Sequence, residues 1–285
     1  IATKNIFIGN GSDECIDLLY RCFCEPGSSK AMICPPTYGM YEVSAGINDV
    51  ELISVPLLPD FQLNLPAMLD QLDEQTRIIW ICSPNNPTGN SIAFNDIEIL
   101  LNNFNGLVVV DEAYINFARQ RSLLTQLSEY PNLVVMQTFS KAWGLAGLRL
   151  GMAFASEAII ALLNKIKPPY NINQATQELA LKALEEVGQV NDMIREIVEM
   201  REALSTVLAQ SPFVLKVYPS DANFLLVKVK DAAGVYTFLL DKGIVVRDRS
   251  RVILCEGCLR ITIGTEEENT ELVDALIEYW NKIRS

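Results

Sequence analysis

Short apolar runs alternate with amphipathic helical patterns along the first two thirds of the sequence. The apolar runs are rich in β-branched residues, and several are apolar on both faces, as in a sheet that helices cover on either side. This alternation is typical of βαβ units and predicts an α/β fold with a mostly parallel sheet. The predicted strands are Asn5–Ile8, Ala31–Cys34, Val50–Val55, Arg77–Cys82, Leu107–Val110, Leu133–Gln137 and Leu148–Phe154. The predicted helices are Ser12–Phe23, Ala93–Asn103, Ser156–Ile166 and Gln174–Leu184.

The helical periodicity breaks at Pro168 and Pro169, which force an extended connection. A long amphipathic pattern over Val190–Gln210 then predicts a bridging helix. We therefore predict a large domain over residues 1–187 and a smaller C-terminal α/β domain over residues 188–285. The smaller domain is predicted to contain strands Val214–Tyr218, Asn223–Val229, Ile244–Val246 and Leu259–Ile263, and helices Ala232–Lys242 and Thr265–Ile283.

Charge and residue usage exclude several classes of function. The net charge of −12 repels phosphate backbones and anionic lipid, so neither nucleic acid nor a membrane is expected as a partner. The sequence contains no histidine, so catalysis would need lysine, tyrosine, a carboxylate or a cofactor. Cys255 and Cys258 form a single C-x-x-C, which offers too few ligands for a metal ion, and no metal site is predicted.

The cysteines and the apolar runs of a sequence bear on the compartment in which the protein is found. The seven cysteines are odd in number and lie mostly in apolar segments, which favours reduced thiols in a cytoplasmic protein. No run approaches the ~20 apolar residues of a membrane span, and no signal peptide opens the sequence. Because the first residue is Ile1 and not Met, we expect the chain to begin inside a longer product.

Polar residues follow four of the predicted strands at their carboxyl ends, which is where open α/β sheets bind ligands. Lys141 comes after one strand, with Thr138 and Ser140 beside it and Arg149 eight positions later. A lysine is ordinarily a solvated surface residue. Here it could instead form a Schiff base with an aldehyde whose phosphate the hydroxyl groups and the arginine bind.

The other three strand ends each allow a structural and a functional interpretation. Asp111 could cap a helix or keep a pyridinium nitrogen protonated. Asn86 lies in a turn rich in Asn, Pro and Gly, and could donate a hydrogen bond to a phenolate oxygen. Ser12 could be only an N-cap, or the glycines around it could bring a helix N-terminus close to a phosphate. The residues by themselves leave these alternatives open.

Taken together, the order and spacing of these motifs resemble the pyridoxal-phosphate-dependent aminotransferases of classes I and II over essentially the whole chain. The matching motifs are S-P-N-N-P-T-G at 83–89, D-E-A-Y at 111–114, T-x-S-K at 138–141 and C-L-R-I-T at 258–262. More narrowly, C-E-P-G at 24–27, C-P-P-T-Y-G-M-Y at 34–41 and G-L-R-L-G at 147–151 resemble the histidinol-phosphate aminotransferases. The resemblance implies a fold-type I enzyme that binds pyridoxal 5'-phosphate.

The resemblance also implies roles for individual residues. Lys141 would form the Schiff base with the cofactor, and Asp111 would be the partner of its pyridine nitrogen. Asn86 and Tyr114 would hydrogen-bond the phenolic oxygen, and Tyr38 would stack on the ring. The cofactor phosphate would be bound by Ser12, Asp13, Thr138, Ser140 and Arg149.

Two arginines are implied to bind the substrate. Arg260 matches the family arginine that binds the anionic group of the substrate. Arg247 is either a second contact to that anion or one exposed charge among Arg247, Arg249 and Arg251.

The activity implied by the resemblance is the reversible conversion of histidinol phosphate and 2-oxoglutarate to imidazole-acetol phosphate and glutamate, in histidine biosynthesis, by a homodimer. The alternatives are a threonine-phosphate decarboxylase, an aromatic amino acid aminotransferase, a fragment of a regulator that senses pyridoxal phosphate, and an inactive truncated product. The family's N-terminal arm, which carries an N-E-N-P-like motif and a tyrosine for the partner's cofactor phosphate, does not precede Ile1. We therefore expect the dimer site formed by this chain to be incomplete.

Overall fold

The computed structural model describes residues 1–284, and these residues form a seven-stranded and a four-stranded β-sheet with helices packed on both. The strands of the larger sheet are β1 (Ile6–Asn10), β2 (Lys30–Ile33), β3 (Glu51–Ser54), β4 (Thr76–Cys82), β5 (Leu107–Asp111), β6 (Leu133–Thr138) and β7 (Leu150–Phe154). Their order across the sheet is β1-β7-β6-β5-β4-β2-β3. Only β7 runs antiparallel to its neighbours β1 and β6, so the prediction of a mostly parallel sheet is confirmed.

Helices cover both faces of the larger sheet because its central strands are apolar on both sides. Along β4, Ile78 and Trp80 face one buried cluster, whereas Ile79 and Ile81 face another. The first cluster is closed by α1 (Ser12–Phe23), α2 (Met40–Ile47) and α5 (Glu157–Ile166). The second is closed by α3 (Leu65–Gln71) and α4 (Phe94–Asn103).

The smaller sheet is antiparallel and follows two further helices, α6 (Gln174–Glu185) and α7 (Val187–Ala209). It contains β8 (Val214–Val217), β9 (Phe224–Val229), β10 (Arg247–Asp248) and β11 (Cys258–Thr262), in the order β10-β11-β9-β8. One face packs against α7, α8 (Ala232–Asp241) and α9 (Glu266–Arg284). On the other face, Leu226 and Cys258 join the second cluster of the larger sheet.

Several predicted boundaries hold closely, and a few predictions are wrong. The helix predicted over Ser12–Phe23 is confirmed to the residue. The strand predicted over Ile244–Val246 is wrong: the paired residues are Arg247–Asp248, because β11 begins opposite them. Of the three residues only Val246 is buried, and the apolar pattern could not fix which residues would find a partner strand.

Two helices were missed because both are short. The first, α2, contains Gly46 and two β-branched residues, and has no side-chain cap. The second, α3, does carry a start signal, since Asn64 accepts a hydrogen bond from the backbone N–H of Ala67 and Pro66 lies in the first turn. Across residues 1–284, none of the helices has the length and apolar character needed to cross a membrane.

Candidate active site

The carboxyl ends of β4, β5 and β6 open into a cavity of about 140 Å³ beside the N-terminus of α1. These strands are parallel, so the residues that follow them meet at one edge of the sheet. All ten residues predicted to bind the cofactor line this cavity: Ser12, Asp13, Tyr38, Asn86, Asp111, Tyr114, Thr138, Ser140, Lys141 and Arg149. Three residues that the sequence reasoning did not single out, Cys82, Ala113 and Ala146, complete the lining.

The N-terminus of α1 forms one end of the cavity and is approached closely by two other segments. Its N-cap is Gly11, at φ +79°, and no side chain caps the first turn. A Cβ at Gly11 would lie 2.6 Å from Nη2 of Arg149, and a Cβ at Gly151 would lie 2.4 Å from the backbone N of Ser12. Glycine at both positions therefore allows β7 and Arg149 to close on the uncapped helix N-terminus.

Hydrogen-bond donors surround this helix end. Nη2 of Arg149 lies 3.3 Å from Oδ2 of Asp13, and the Tyr38 hydroxyl donates to Oδ1 of the same carboxylate at 3.1 Å. On the opposite side, the hydroxyl oxygens of Thr138 and Ser140 lie 3.0 Å apart. A guanidinium, two hydroxyls and free backbone N–H groups at one point are the donor set that binds a phosphate.

Asp111 lies at the other end of the cavity and is buried among apolar side chains. Its Oδ2 accepts a hydrogen bond from the Tyr41 hydroxyl at 2.8 Å, and its Oδ1 accepts one from the backbone N–H of Ala113 at 3.1 Å. Burial raises the pKa of Asp111 above its ordinary value, while these two hydrogen bonds lower it. A carboxylate held in this way can stabilise a positive charge that a ligand brings into the cavity.

Lys141 lies at the mouth of the cavity, with its Nζ 5.4 Å from the centre of the Tyr114 ring. Desolvation within the cleft lowers the pKa of Lys141 from its ordinary value, and the charge of Arg260 lowers it further. This favours the neutral amine, which is the form able to act as a nucleophile or base. Burial raises the pKa of Tyr114, so its phenol remains a donor at neutral pH.

Arg260 reaches the rim of the cavity from β11 in the smaller sheet. Its Nη1 donates to Oδ1 of Asn86 at 2.6 Å, and its guanidinium carbon lies 4.9 Å from the centre of the Phe224 ring. Its Nε is buried and, within residues 1–284, makes no hydrogen bond. Desolvation lowers the pKa of Arg260, and neighbouring Arg249 and Arg247 lower it further. A guanidinium so placed, with spare donors and no carboxylate beside it, suits an anionic ligand.

Arg247 and Arg249 differ in their surroundings. Arg247 lies opposite Arg260 in the β10–β11 register, but it is exposed and does not line the cavity, so its predicted role stays a prediction. Arg249 lies directly after β10, where its backbone N–H donates to the Cys258 carbonyl at 2.9 Å, and its Nε is buried without a hydrogen bond from any described residue. The charge of Arg249 also reaches Tyr114 and lowers the pKa of its hydroxyl.

Sequence reasoning missed Tyr41 and Arg249 for different reasons. Tyr41 lies inside the motif at 34–41, but nothing in the sequence relates it to Asp111, 70 positions away. Arg249 was considered in the sequence only as one of three neighbouring exposed charges, and no local pattern marks its Nε as buried.

Comparison with known proteins identifies the family of the chain. The profile of the family described as aminotransferase class I and II matches residues 1–276. The histidinol-phosphate aminotransferase of Cytophaga hutchinsonii is 55% identical over 98% of this chain and 80% of its own length. The crystal structure of the histidinol-phosphate aminotransferase from Clostridium acetobutylicum superimposes with a TM-score of 0.90 at 25% identity, covering 98% of this chain and 84% of that one. The corresponding enzyme from Sinorhizobium meliloti, solved in complex with pyridoxal-5'-phosphate, gives 0.88 at 24% identity, with 98% and 77% covered.

Proposed function

The chain belongs to the class I and II aminotransferase family, and we propose that it transfers the amino group of histidinol phosphate to 2-oxoglutarate, in histidine biosynthesis. The family implies an amino substrate and a 2-oxo acid as reactants. The single observation in the structure that carries the proposal of a phosphorylated substrate is the placement of Arg260. Nη1 of Arg260 lies 2.6 Å from Oδ1 of Asn86, at the rim of the cavity. The remaining donors of the guanidinium are free to bind a substrate anion at this point.

The residues of the cavity fit pyridoxal phosphate. At one end, Gly11 and Gly151 leave a cradle that a Cβ would fill, beside the guanidinium of Arg149. That end suits the cofactor phosphate, with Ser12, Asp13, Thr138 and Ser140 as further contacts. At the other end, the buried Asp111 carboxylate suits a protonated ring nitrogen, and Lys141, Asn86, Tyr114 and Tyr38 line the space between.

Bound pyridoxal phosphate supplies an electron-withdrawing ring that stabilises negative charge at the α-carbon of the substrate. Asp111 keeps a proton on the ring nitrogen, because a buried carboxylate is stabilised by a positive partner. Lys141 would hold the cofactor through Nζ. As a neutral amine, the same Nζ would be the group that accepts the proton from the α-carbon of the substrate.

Asn86 and Arg260 connect the cofactor end of the site to the substrate end. The Asn86 side chain lines the cavity and accepts from Arg260 through Oδ1, which leaves its NH₂ group as the donor for a bound ligand. Arg260 retains donors on Nε and Nη2 for the substrate phosphate. A substrate anion bound by Arg260 would thus lie next to the asparagine that contacts the cofactor.

The proposed activity is tested with the purified protein loaded with pyridoxal phosphate. Histidinol phosphate and 2-oxoglutarate should give glutamate, and histidinol, which lacks the phosphate, should give a far higher KM. Arg260→Gln should remove most of this preference for the phosphate, since the charged hydrogen bonds it loses are worth ~1.5–3 kcal/mol each, roughly ten- to a hundredfold. A variant with an unchanged preference would contradict the role of Arg260.

The rival activities give different products in the same assay. Threonine phosphate should release no carbon dioxide, whereas a decarboxylase would release it without forming glutamate. An aromatic aminotransferase would form glutamate from phenylalanine or tyrosine as readily as from histidinol phosphate. A regulator without catalytic activity would bind the cofactor and yield none of these products.

Three further parts of the proposal concern the whole protein. We propose the division into domains at residues 1–187 and 188–285, which is supported by the start of α7 at Val187. We propose a homodimer, supported by exposed apolar side chains on α6 (Leu179, Leu181 and Leu184), and light scattering at micromolar concentration tests it. A cytoplasmic location is supported by the seven cysteines, all of which are free.

A further inference from the structure

Tyr41 occupies a fully buried position directly behind Asp111. It is 0% exposed, and its ring is stacked on Trp80 at 5.0 Å with an interplanar angle of 13°. The Tyr20 hydroxyl donates to the Tyr41 backbone carbonyl at 2.9 Å. The ring of Tyr41 is therefore fixed by packing, so its hydroxyl has a defined direction.

That direction leads to the carboxylate at the end of the cavity. The Tyr41 hydroxyl donates to Oδ2 of Asp111 at 2.8 Å. Burial raises the pKa of Tyr41 well above its ordinary value, so the hydroxyl keeps its proton and can only act as the donor in this pair. With the Ala113 backbone N–H on Oδ1, each carboxylate oxygen has one fixed donor, and this fixes the plane of the carboxylate.

We propose that Tyr41 is a positioning residue for the cofactor: its hydroxyl keeps the buried Asp111 carboxylate charged and aimed at the cavity, where it meets the ring nitrogen. The inference rests on the proposed cofactor, and it extends the site to a residue that does not line the cavity. Without this donor, a carboxyl buried to this degree takes up a proton more readily. A neutral Asp111 would no longer stabilise a protonated nitrogen.

Other charged or titratable groups act on Asp111 more weakly. From β6 and the loop after it, Lys141 favours the charged form, whereas Asp13 on α1 disfavours it. Cys82 on β4 and Cys15 on α1 are buried thiols whose pKa values are raised, so both are neutral at physiological pH. The negative charge of Asp111 also raises the pKa values of three further neighbours, Tyr38, Glu112 and Tyr114. None of these groups donates a hydrogen bond to either oxygen of the carboxylate among the contacts described.

Tyr41→Phe removes one oxygen and keeps the stacked ring, and Tyr20→Phe is its matched control. Tyr20 is also fully buried and also contacts Trp80. Its hydroxyl makes one buried hydrogen bond, to the backbone carbonyl of Tyr41, so this control removes a contact that holds Tyr41 but keeps the Tyr41 hydroxyl that donates to Asp111. Both variants should lower the melting temperature of the cofactor-free protein to a similar extent, because each leaves one buried acceptor without its donor. A merely structural role for Tyr41 predicts that the two variants also behave alike toward the cofactor.

Cofactor affinity separates the two roles. By fluorescence titration, we expect Tyr41→Phe to bind pyridoxal phosphate about tenfold more weakly than Tyr20→Phe, as the loss of a charge-assisted hydrogen bond implies. With a carbocyclic analogue that has C–H in place of the ring nitrogen, the difference should disappear or reverse. In an Asp111→Asn background, Tyr41→Phe should have no further effect on affinity for pyridoxal phosphate.

Two results would overturn the proposal: equal affinities of Tyr41→Phe and Tyr20→Phe for pyridoxal phosphate, or a deficit in Tyr41→Phe that persists with the carbocyclic analogue. A second variant, Tyr41→His, returns an N–H donor to this position. It should bind more tightly than Tyr41→Phe, and equal binding would count against the proposal. If the unaltered protein bound no pyridoxal phosphate, the proposed function itself would fail, which is a separate outcome.

Discussion

Gly151→Ala should disrupt the phosphate end of the site, because the new methyl group has no space. A Cβ at this position would lie 2.4 Å from the carbonyl carbon of Gly11 and 2.4 Å from the backbone N of Ser12. Both are backbone atoms, and Gly151 is paired on both sides, with Gly9 in β1 and Thr138 in β6. No flexible side chain can move aside, so β7 and the N-terminus of α1 must separate.

The size of the effect follows from the overlap. An ordinary carbon contact is about 3.5 Å, so the two segments must move apart by ~1 Å, and overpacking of this kind costs roughly 1–3 kcal/mol of unfolding free energy. The same displacement stretches a 2.9 Å hydrogen bond from the helix N-terminus to a phosphate beyond its useful range. Loss of one charged hydrogen bond at ~1.5–3 kcal/mol predicts cofactor affinity lower by about ten- to a hundredfold.

Gly147→Ala is the matched control, four residues earlier in the same segment. A Cβ at Gly147 would meet no atom within 4 Å, and its φ is not positive. Urea denaturation of the cofactor-free proteins and titration with pyridoxal phosphate measure the two effects. We expect Gly147→Ala to match the unaltered protein in unfolding free energy and in affinity for pyridoxal phosphate. If Gly151→Ala were as stable and bound the cofactor as tightly as Gly147→Ala, the close approach of β7 to the helix N-terminus would not position the phosphate.

The remaining predictions concern three other residues. Asp111→Asn should reduce kcat by roughly ten- to a hundredfold, because a charge-assisted hydrogen bond worth ~1.5–3 kcal/mol is lost; an unchanged kcat would make Asp111 only a structural residue. Lys141 of the cofactor-free protein should be acetylated by acetic anhydride with a pH midpoint below 10.5. Desolvation has the largest effect in lowering the pKa of Lys141, and the charge of Arg260 has the next largest, so the midpoint should rise in Arg260→Gln. A midpoint that stayed the same or fell would refute the effect of Arg260 on Lys141. Arg201→Met should lower the unfolding free energy by about 2–4 kcal/mol, because the buried guanidinium donates to the carbonyls of Phe117 and Ala222. Urea denaturation measures this change, and an unchanged unfolding free energy would show that these carbonyls need no donor.

The sheet and most of its helices could be predicted from sequence because local pattern determines them. Runs such as Leu107–Asp111 are too apolar for any position except between two helix layers, and the 12-residue helix α1 has a clear amphipathic period. Short elements lack such a signal. The strand at Arg247–Asp248 has only two residues, so its position depends on where β11 offers free backbone groups.

The residues of the site could also be predicted, but their mutual contacts could not. Strand ends marked the positions of Lys141 and Asp111, and the resemblance to a known family gave them roles. The hydrogen bond from Tyr41 to Asp111 joins residues 70 positions apart, and the bond from Arg260 to Asn86 joins residues 174 apart. Such pairs depend on sheet order and on the packing of the smaller sheet against the larger one, which no local pattern contains.

By itself, the sequence determined the strand and helix alternation, the chemistry available without histidine, and the residues at the ends of β4, β5 and β6. Tertiary structure alone decided which backbone segments come close enough to matter. The sequence placed Gly11 in a possible phosphate-binding turn and Gly151 in a family motif, but only the structure shows that β7 approaches α1 so closely that both positions need glycine. The physical reason is that hydrophobic periodicity acts within a segment, whereas the direction of a hydroxyl or guanidinium is fixed by packing between segments far apart in the chain.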